Sequence, residues 1–361
     1  MSITAGHVTA FFLFDVAEGV SLDALPTRLG PAERARLAPK PATPSYVQYQ
    51  TPPLSFDAEA VGLTPVENCR TRVKVFDYGV VSVALSQPFA GTWIEFVALG
   101  QRVIDNAALE RAAEGVCRQL LDRMGGTLSK PRTTFLAEDY VVFAVTCLSE
   151  PLSADALADR HGTEIAQLLR AEKQPLSRQE RDEILRHRLS YLADDLVVPT
   201  WNAALVYDTE AGAQAALEIL EYANSQLLEF RYYDDTLDAE LARIYKDLQK
   251  PRISLWGAGR QTRAAHQVQS LLVELHELTD HTENALKFVG DVYAARLFTL
   301  AATRLGLDRW KASVQEKLKT LDDIYRFAVE QTAMARGEFL ELTIVLILVL
   351  ELVLFFLGIM R

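Results

Sequence analysis

The sequence predicts an α+β protein, with an N-terminal mixed α/β sandwich domain, then a long antiparallel helical hairpin serving as a stalk, then one C-terminal transmembrane helix. Three observations predict it. Short runs rich in Val, Phe and Tyr alternate with stretches of helical period through the front of the chain. No proline follows Pro251, so the final 110 residues lack the residue that most strongly interrupts a helix. The chain closes on LELTIVLILVLELVLFFLGIM, Leu340 to Met360, an apolar run of membrane length.

In chain order, residues 1–25 form a first-strand region. Its apolar stretch, Val8 to Phe14, is too short, too alternating and too free of preceding positive charge for a secretory signal. Residues 26–68, in which the stretch Pro26 to Pro53 alone holds seven of the fourteen prolines, show little apolar periodicity and read as an extended surface connection. Residues 69–208 form the α/β domain. Within it Arg72 to Leu85, Tyr140 to Leu148 and Asn202 to Tyr207 have strand character. Thr92 to Met124 reads as helix with one break, and Ser153 to Arg170 as a second amphipathic helix. Ser177 to Glu180 has the spacing of a capping box.

Residues 209–250 are a helical connector, expected as a helix from Glu210 to Phe230, a break at Arg231 to Asp235 (RYYDD), and a polar helix to Gln249. Residues 260–338 form the hairpin. Its first arm, Arg263 to Leu305, sets Val268, Leu271, Leu275, Leu278, Thr282, Ala285, Val289 and Val292 at alternating spacings of three and four, a coiled-coil seam. Gly306 supplies the turn. The second arm repeats the seam at Val314, Leu318, Leu321, Tyr325, Ala328, Thr332, Ala335 and Phe339, and the phase continues through Leu342, Leu346, Val349 and Val353. One helix of roughly 50 residues, ~75 Å long, is therefore expected to run into the membrane segment at 340–360.

Composition narrows the classes. With 361 residues, 49% hydrophobic and 24% charged, the chain can bury a substantial core in two or three folded units. A net charge of -11 argues against a nucleic-acid grip by the whole surface, and no nucleic-acid binding is predicted. Cys69, Cys117 and Cys147 are odd in number and widely spaced, which suggests neither a disulfide framework nor a zinc knuckle. The expected location is the bacterial inner (cell) membrane, with the N-terminal bulk cytoplasmic.

The residue that stands out is Glu351, in the middle of the apolar tail. Leu342 to Met360 is 19 residues, ~28 Å as a helix, and a charged side chain at mid-bilayer costs of the order of 3 kcal/mol on insertion scales. Glu351 shares a face with Gly358, off the seam, so the reading is self-association through that face, with Glu341 at the entry and the Glu351 carboxyls protonated or paired. The plainer alternative is a monomeric anchor that tolerates one glutamate.

Other candidates are weaker. Trp256 to Thr262 (WGAGRQT) lacks the third glycine of a dinucleotide turn and reads as a loop between helices. His276 and Asp280 have one-turn spacing, as metal ligands on one helix face would, but they alternate with the apolar seam in the manner of a solvated face. Tyr232, Tyr233, Asp234 and Asp235 form a candidate recognition surface, against the blander reading of a packed corner between helices. No HExxH, GxSxG or GxxxxGK motif occurs, no cofactor is expected, and the balance leans away from an enzyme.

Four stretches carry a family resemblance. Phe76 to Val83 (FDYGVVSV), Tyr232 to Tyr245 (YYDDTLDAELARIY), Trp310 to Tyr325 (WKASVQEKLKTLDDIY), and the tail with Glu351 ten residues after Glu341 together resemble the required-for-meiotic-nuclear-division family. The resemblance implies a membrane-anchored, single-pass protein without known catalytic activity, and its mitochondrial relatives support organelle translation at the inner membrane. Leu342 departs from the aromatic residue common at that place. The acidic front domain, the long helix and Leu342 to Ile344 also resemble CorA-type magnesium channels, but the Gly-Met-Asn motif and a second span are missing.

The expected function is thus a tail-anchored, self-associating scaffold or adaptor. Two alternatives stand beside it: a CorA-like ion channel or transporter component using Glu351, and a membrane-tethered enzyme in residues 69–208.

Overall fold

A computed structural model describes residues 1–30, 32–34, 52–248 and 292–356. Its centre is strand β1 (Ser2–Val20), a 19-residue strand buried almost throughout its second half. FFLF and the residues around it alternate apolar side chains onto both faces, as a strand covered on both sides must. The short helix α1 (Leu25–Leu29), β2 (Glu33–Arg34), β3 (Leu54–Asp57), β4 (Arg70–Val75) and β5 (Val80–Thr92) follow. Next come α2 (Trp93–Val103), α3 (Ala107–Met124), β6 (Leu128–Leu148), α4 (Ala154–Arg170), α5 (Arg178–Arg186), β7 (Leu196–Pro199) and β8 (Ala203–Tyr207). The chain continues with α6 (Glu210–Leu248), α7 (Val292–Leu305) and α8 (Leu307–Phe356).

The strands form one mixed sheet in the order β2-β3-β4-β5-β1-β6-β8-β7. All neighbours are antiparallel except β6 and β8, which run parallel. The expected α+β class holds at this level. The expected surface connection at 26–68 contains β3, whose Leu54 and Phe56 are buried in the sheet. The run Arg72 to Leu85 is a hairpin rather than one strand, because Phe76 to Gly79 turns the chain between β4 and β5.

The two faces of the sheet differ. On the front face the even residues of β1, Val8 to Val16, pack with Trp93 and Phe96 of α2, Leu120 of α3, and Leu157 and Ile165 of α4 in one apolar cluster. Helix starts on this side are set by side chains. Thr92 and Glu95 form a reciprocal capping box on α2, Asn106 caps α3, and Ser153 caps α4. Ser177 caps α5 as its spacing predicts, while the Glu180 carboxylate takes Arg170 at 2.8 Å. The rear face carries the odd residues of β1 and is covered by α6, where Tyr222 lies between Phe76 of the β4-β5 turn and Phe298 of α7.

Gly79 has φ +93°, and a Cβ there would lie 1.9 Å from the Ala17 carbonyl oxygen. The Tyr78-Gly79 turn is thus closed against the end of β1, and only glycine fits.

The chain divides into two units, one of residues 1–232 and 281–311, the other of 233–280 and 312–361. In the second unit, α6 and α8 lie side by side. Asp234 accepts from Ser313 at 2.6 Å, and Lys317 reaches Asp234 at 2.8 Å and Asp238 at 2.7 Å. Leu237, Val314, Leu318 and Leu321 are buried. The paired positions, Asp234 with Ser313 and Asp238 with Lys317, advance together along both helices, so they run the same way.

The break expected at Arg231 to Asp235 is absent, and α6 passes through as one 39-residue helix. Tyr233, Asp234 and Leu237 are buried and Arg231 pairs with Glu138, so packing on the surrounding structure holds a segment whose composition suggested a corner. Gly306, at φ +72°, makes the expected turn between α7 and α8. The seam positions Val268 to Val289 lie outside the described residues, as does most of the hairpin's first arm.

A buried acid-base layer as the candidate functional site

Helix α6 lays an unusual stripe on the rear of the sheet. Glu218, Glu221, Ser225, Glu229 and Tyr232 recur at spacings of three and four, which places them on one helical face. A helix that covers a sheet normally presents apolar residues there. Here Glu221 and Glu229 are 3% and 1% exposed.

The sheet answers with charge. Lys74 on β4 pairs in register with Ser82 on β5, Ser82 with Leu13 on β1, and Leu13 with Glu138 on β6, so these four share the rear face. Asp15, two residues on from Leu13, joins them. Between the pairs Asp15↔Leu136 and Ala17↔Pro131 the register of β6 slips, leaving Arg132 to Phe135 as extra length opposite Val16. That bulge re-aims Arg132 along the face, the usual consequence of inserting residues on one strand.

Two charge clusters result. The Lys74 ammonium donates to Glu218 at 2.5 Å and to Glu221, with Lys74 and Glu221 buried and Glu218 partly open to solvent. Arg132 Nε donates to Asp15 Oδ1 at 2.7 Å, and its guanidinium lies 3.5 Å from the centre of the Tyr232 ring. Glu229 faces both Asp15 and Arg132 electrostatically. Asp15 Oδ2, Arg132 Nη2 and Glu229 Oε1 are buried without a hydrogen-bond partner among the described residues. Tyr78 and Ser225 hydrogen-bond at 2.6 Å on the same stripe. Nearby, Arg231 pairs with Glu138 and stands over the Trp310 ring.

Each cluster has one cation facing two carboxylates. Burial raises the Asp15 carboxyl to about 6, Arg132 offsetting part of the rise and Glu18 adding to it. Burial lifts Glu229 well above the carboxylate range, and the charge of Asp15 pushes it further. Glu221 is also raised by burial, against the pull of Lys74. For Lys74, burial disfavours the ammonium, but Glu221 and Glu218 outweigh it and hold the group charged. Burial thus favours the protonated form of Asp15, Glu221 and Glu229. Among the described residues, no group of three or more His, Cys, Asp or Glu side chains is placed to hold a metal ion.

The residues singled out from sequence fall elsewhere or in part here. Tyr232 lines the layer. Tyr233 and Asp234 are buried and only Asp235 is exposed, so the candidate recognition surface is a packed stretch of helix rather than an open face. Glu341 and Glu351 are exposed on α8. His276, Asp280, Gly358 and the Trp256 to Thr262 turn lie outside the described residues. Lys74, Asp15, Arg132, Glu221 and Glu229 were not found from sequence, although each acidic or basic residue set inside an apolar run, as in FFLFDV or RVKV, was a usable signal.

The fold defines a mixed-sheet α/β domain closed on its rear by a helix with a charged inner stripe. Residues 5–214 match the family described as "Uncharacterized protein MJ0711, N-terminal domain", and the chain belongs to that family. The match takes in Asp15, Lys74 and Arg132 on the sheet and ends just before the acidic stripe of α6. The chain is similar to the uncharacterized protein MJ0711 of Methanocaldococcus jannaschii, 23% identical over 236 residues, covering 65% of this chain and 71% of that protein. No solved structure matches.

Proposed function

We propose that this protein is a tail-anchored membrane scaffold or adaptor, self-associating through α8 and the apolar tail, with its α/β domain held on the side of synthesis by a helical stalk. The observation that carries the proposal is on α8. Ile344, Val345, Leu346, Ile347, Leu348, Val349 and Leu350 are consecutive, 49–64% exposed, and turn through the whole circumference of the helix. A helix apolar all round is stable when surrounded by hydrocarbon or by other apolar helices.

Among the described residues no helix is long and apolar enough to cross a membrane. The apolar run Leu342 to Met360 continues past Phe356, where the described part of α8 ends. The proposed span is that whole run. Exposed Glu351 sits within it, and a carboxyl at that depth favours association between copies, in which it is shielded from lipid. By its resemblance to the meiotic-nuclear-division family the scaffold would serve membrane-associated translation or assembly.

Oxidative crosslinking of Gly358→Cys in native membranes tests the self-association. A disulfide-linked dimer that is lost in Glu351→Leu is the expected result. A variant that stays uncrosslinked, in a solubilised protein of monomer mass, would overturn it.

A further inference from the structure

The stripe on α6 is not needed to hold a helix on a sheet, since replacing a buried ion pair by apolar residues of like volume is often neutral or stabilising. What the stripe adds is a charge mismatch. Lys74 pairs with both Glu218 and Glu221, and Arg132 pairs with Asp15 while buried Glu229 feels the charge of both, so each cluster carries one carboxyl more than it has cations. An unmatched carboxylate sealed from water is disfavoured, and the least disruptive remedy is a bound proton.

We propose that the seating of α6 on the rear of the sheet is a proton-held latch, closed by one bound proton in each of the two clusters and loosened when those protons are lost to solvent. The step is a simple acid dissociation: a carboxyl O–H breaks, water takes the proton, and a carboxylate remains in the interface. In the Arg132 cluster the groups facing Asp15 and Glu229 are Arg132 from β6, Glu18 from β1, and Tyr78 at the β4-β5 turn, with Tyr232 of α6 facing Arg132. Just one of these is cationic at neutral pH, and it is already engaged by Asp15 at 2.7 Å. In the Lys74 cluster the groups facing Glu221 are Lys74 from β4, Glu218 from α6 itself and the Ser82 hydroxyl from β5, so again one cation serves two acids.

The orphaned atoms agree with this arrangement. Glu229 Oε1 and Asp15 Oδ2 are both acceptors when ionised, and both are buried without a donor among the described residues. The cluster's one unpaired donor group is Arg132 Nη2 against these two unpaired acceptors, and a proton on either carboxyl turns an acceptor into a further donor. The latch also acts at a helix that belongs to both units of the chain, since α6 runs on past Tyr232 to Leu248.

The test is hydrogen exchange of the full-length chain in detergent, from about pH 5 to about pH 8.5, with intrinsic exchange chemistry divided out. For each proton released on opening, the opening equilibrium rises about tenfold per pH unit. The expected result is such a rise in the α6 peptides covering residues 216–230, larger than in β1 and β6, and flattened in Glu229→Gln and Glu221→Gln. An α6 whose opening follows the strands at every pH, or a slope unchanged in both variants, overturns the latch. Infrared spectra of the wild-type chain at neutral pH give a reading that needs no variant to fold. A buried protonated-carboxyl band is expected, and its absence overturns the proposal.

Discussion

Arg132 Nε lies 2.7 Å from Asp15 Oδ1, an ion pair that ties β6 to β1 across 117 residues of sequence, with the Asp15 side chain fully buried. It is reached through the register slip in β6 and covered by the Tyr232 ring. Removing one partner of a buried pair leaves the other charge uncompensated, at about 3–5 kcal/mol. Arg132→Met is expected to cost that much at neutral pH by thermal or urea unfolding. The cost should shrink toward about pH 5 as Asp15 takes up a proton. Equal cost at both pH values would contradict the charge assignment.

Lys74 is the second test of the layer. Lys74→Met strands Glu218 and Glu221 against each other in the interface and should destabilise by about 3 kcal/mol or more. Adding Glu221→Gln removes one of the two stranded carboxyls. The double variant is therefore expected to recover at least about 1 kcal/mol, a coupling typical of contacting groups. Simple additivity would show that the three residues do not act together.

The sign of the Asp15 effect follows from linkage. Its folded-state value, about 6, lies above the usual range of an aspartate, so the folded chain holds the proton more tightly than the unfolded one. That contribution to stability is fully present below the lower value and is lost as pH rises through the higher. His7 and His161 are lowered by burial and act in the opposite sense on acidification, so the informative quantity is a difference between variants. The melting temperature of wild type minus that of Asp15→Asn should fall between about pH 4 and about pH 6. A flat difference would contradict the assignment.

Gly79→Ala tests the Tyr78-Gly79 turn. With φ at +93° and the Ala17 carbonyl 1.9 Å from the would-be Cβ, the substitution should cost about 1–3 kcal/mol. Gly30, also at positive φ but with nothing within 4 Å of its would-be Cβ, is the control and should cost less.

Much of the fold could be read from local pattern. The break in Thr92 to Met124 falls between α2 and α3, where Asn106 caps the second helix, and Ser153 starts α4 by the same chemistry. Gly306 turns the chain at positive φ, as a lone glycine between two helix-period runs suggests. What pattern misread was set by distant partners. Arg231 to Asp235 looked like a corner because aromatic and acidic residues cluster there, yet Glu138, Ser313 and Lys317 bind its charges and the helix runs straight on.

The buried layer escaped for the same reason. Asp15 and Arg132 meet through a bulge that no spacing announces, and Glu221 and Glu229 look like the solvated face of an amphipathic helix until the sheet beneath them is known to carry Lys74 and Arg132.

The tail anchor is the claim on which the proposed function stands, and alkaline carbonate extraction of cell membranes tests it most directly, comparing the full chain with one ending at Gly337. The full chain is expected to stay in the membrane pellet until detergent is added, while the shortened chain moves to the supernatant. A full chain that washes off in carbonate, or a shortened chain that pellets equally, would contradict the account.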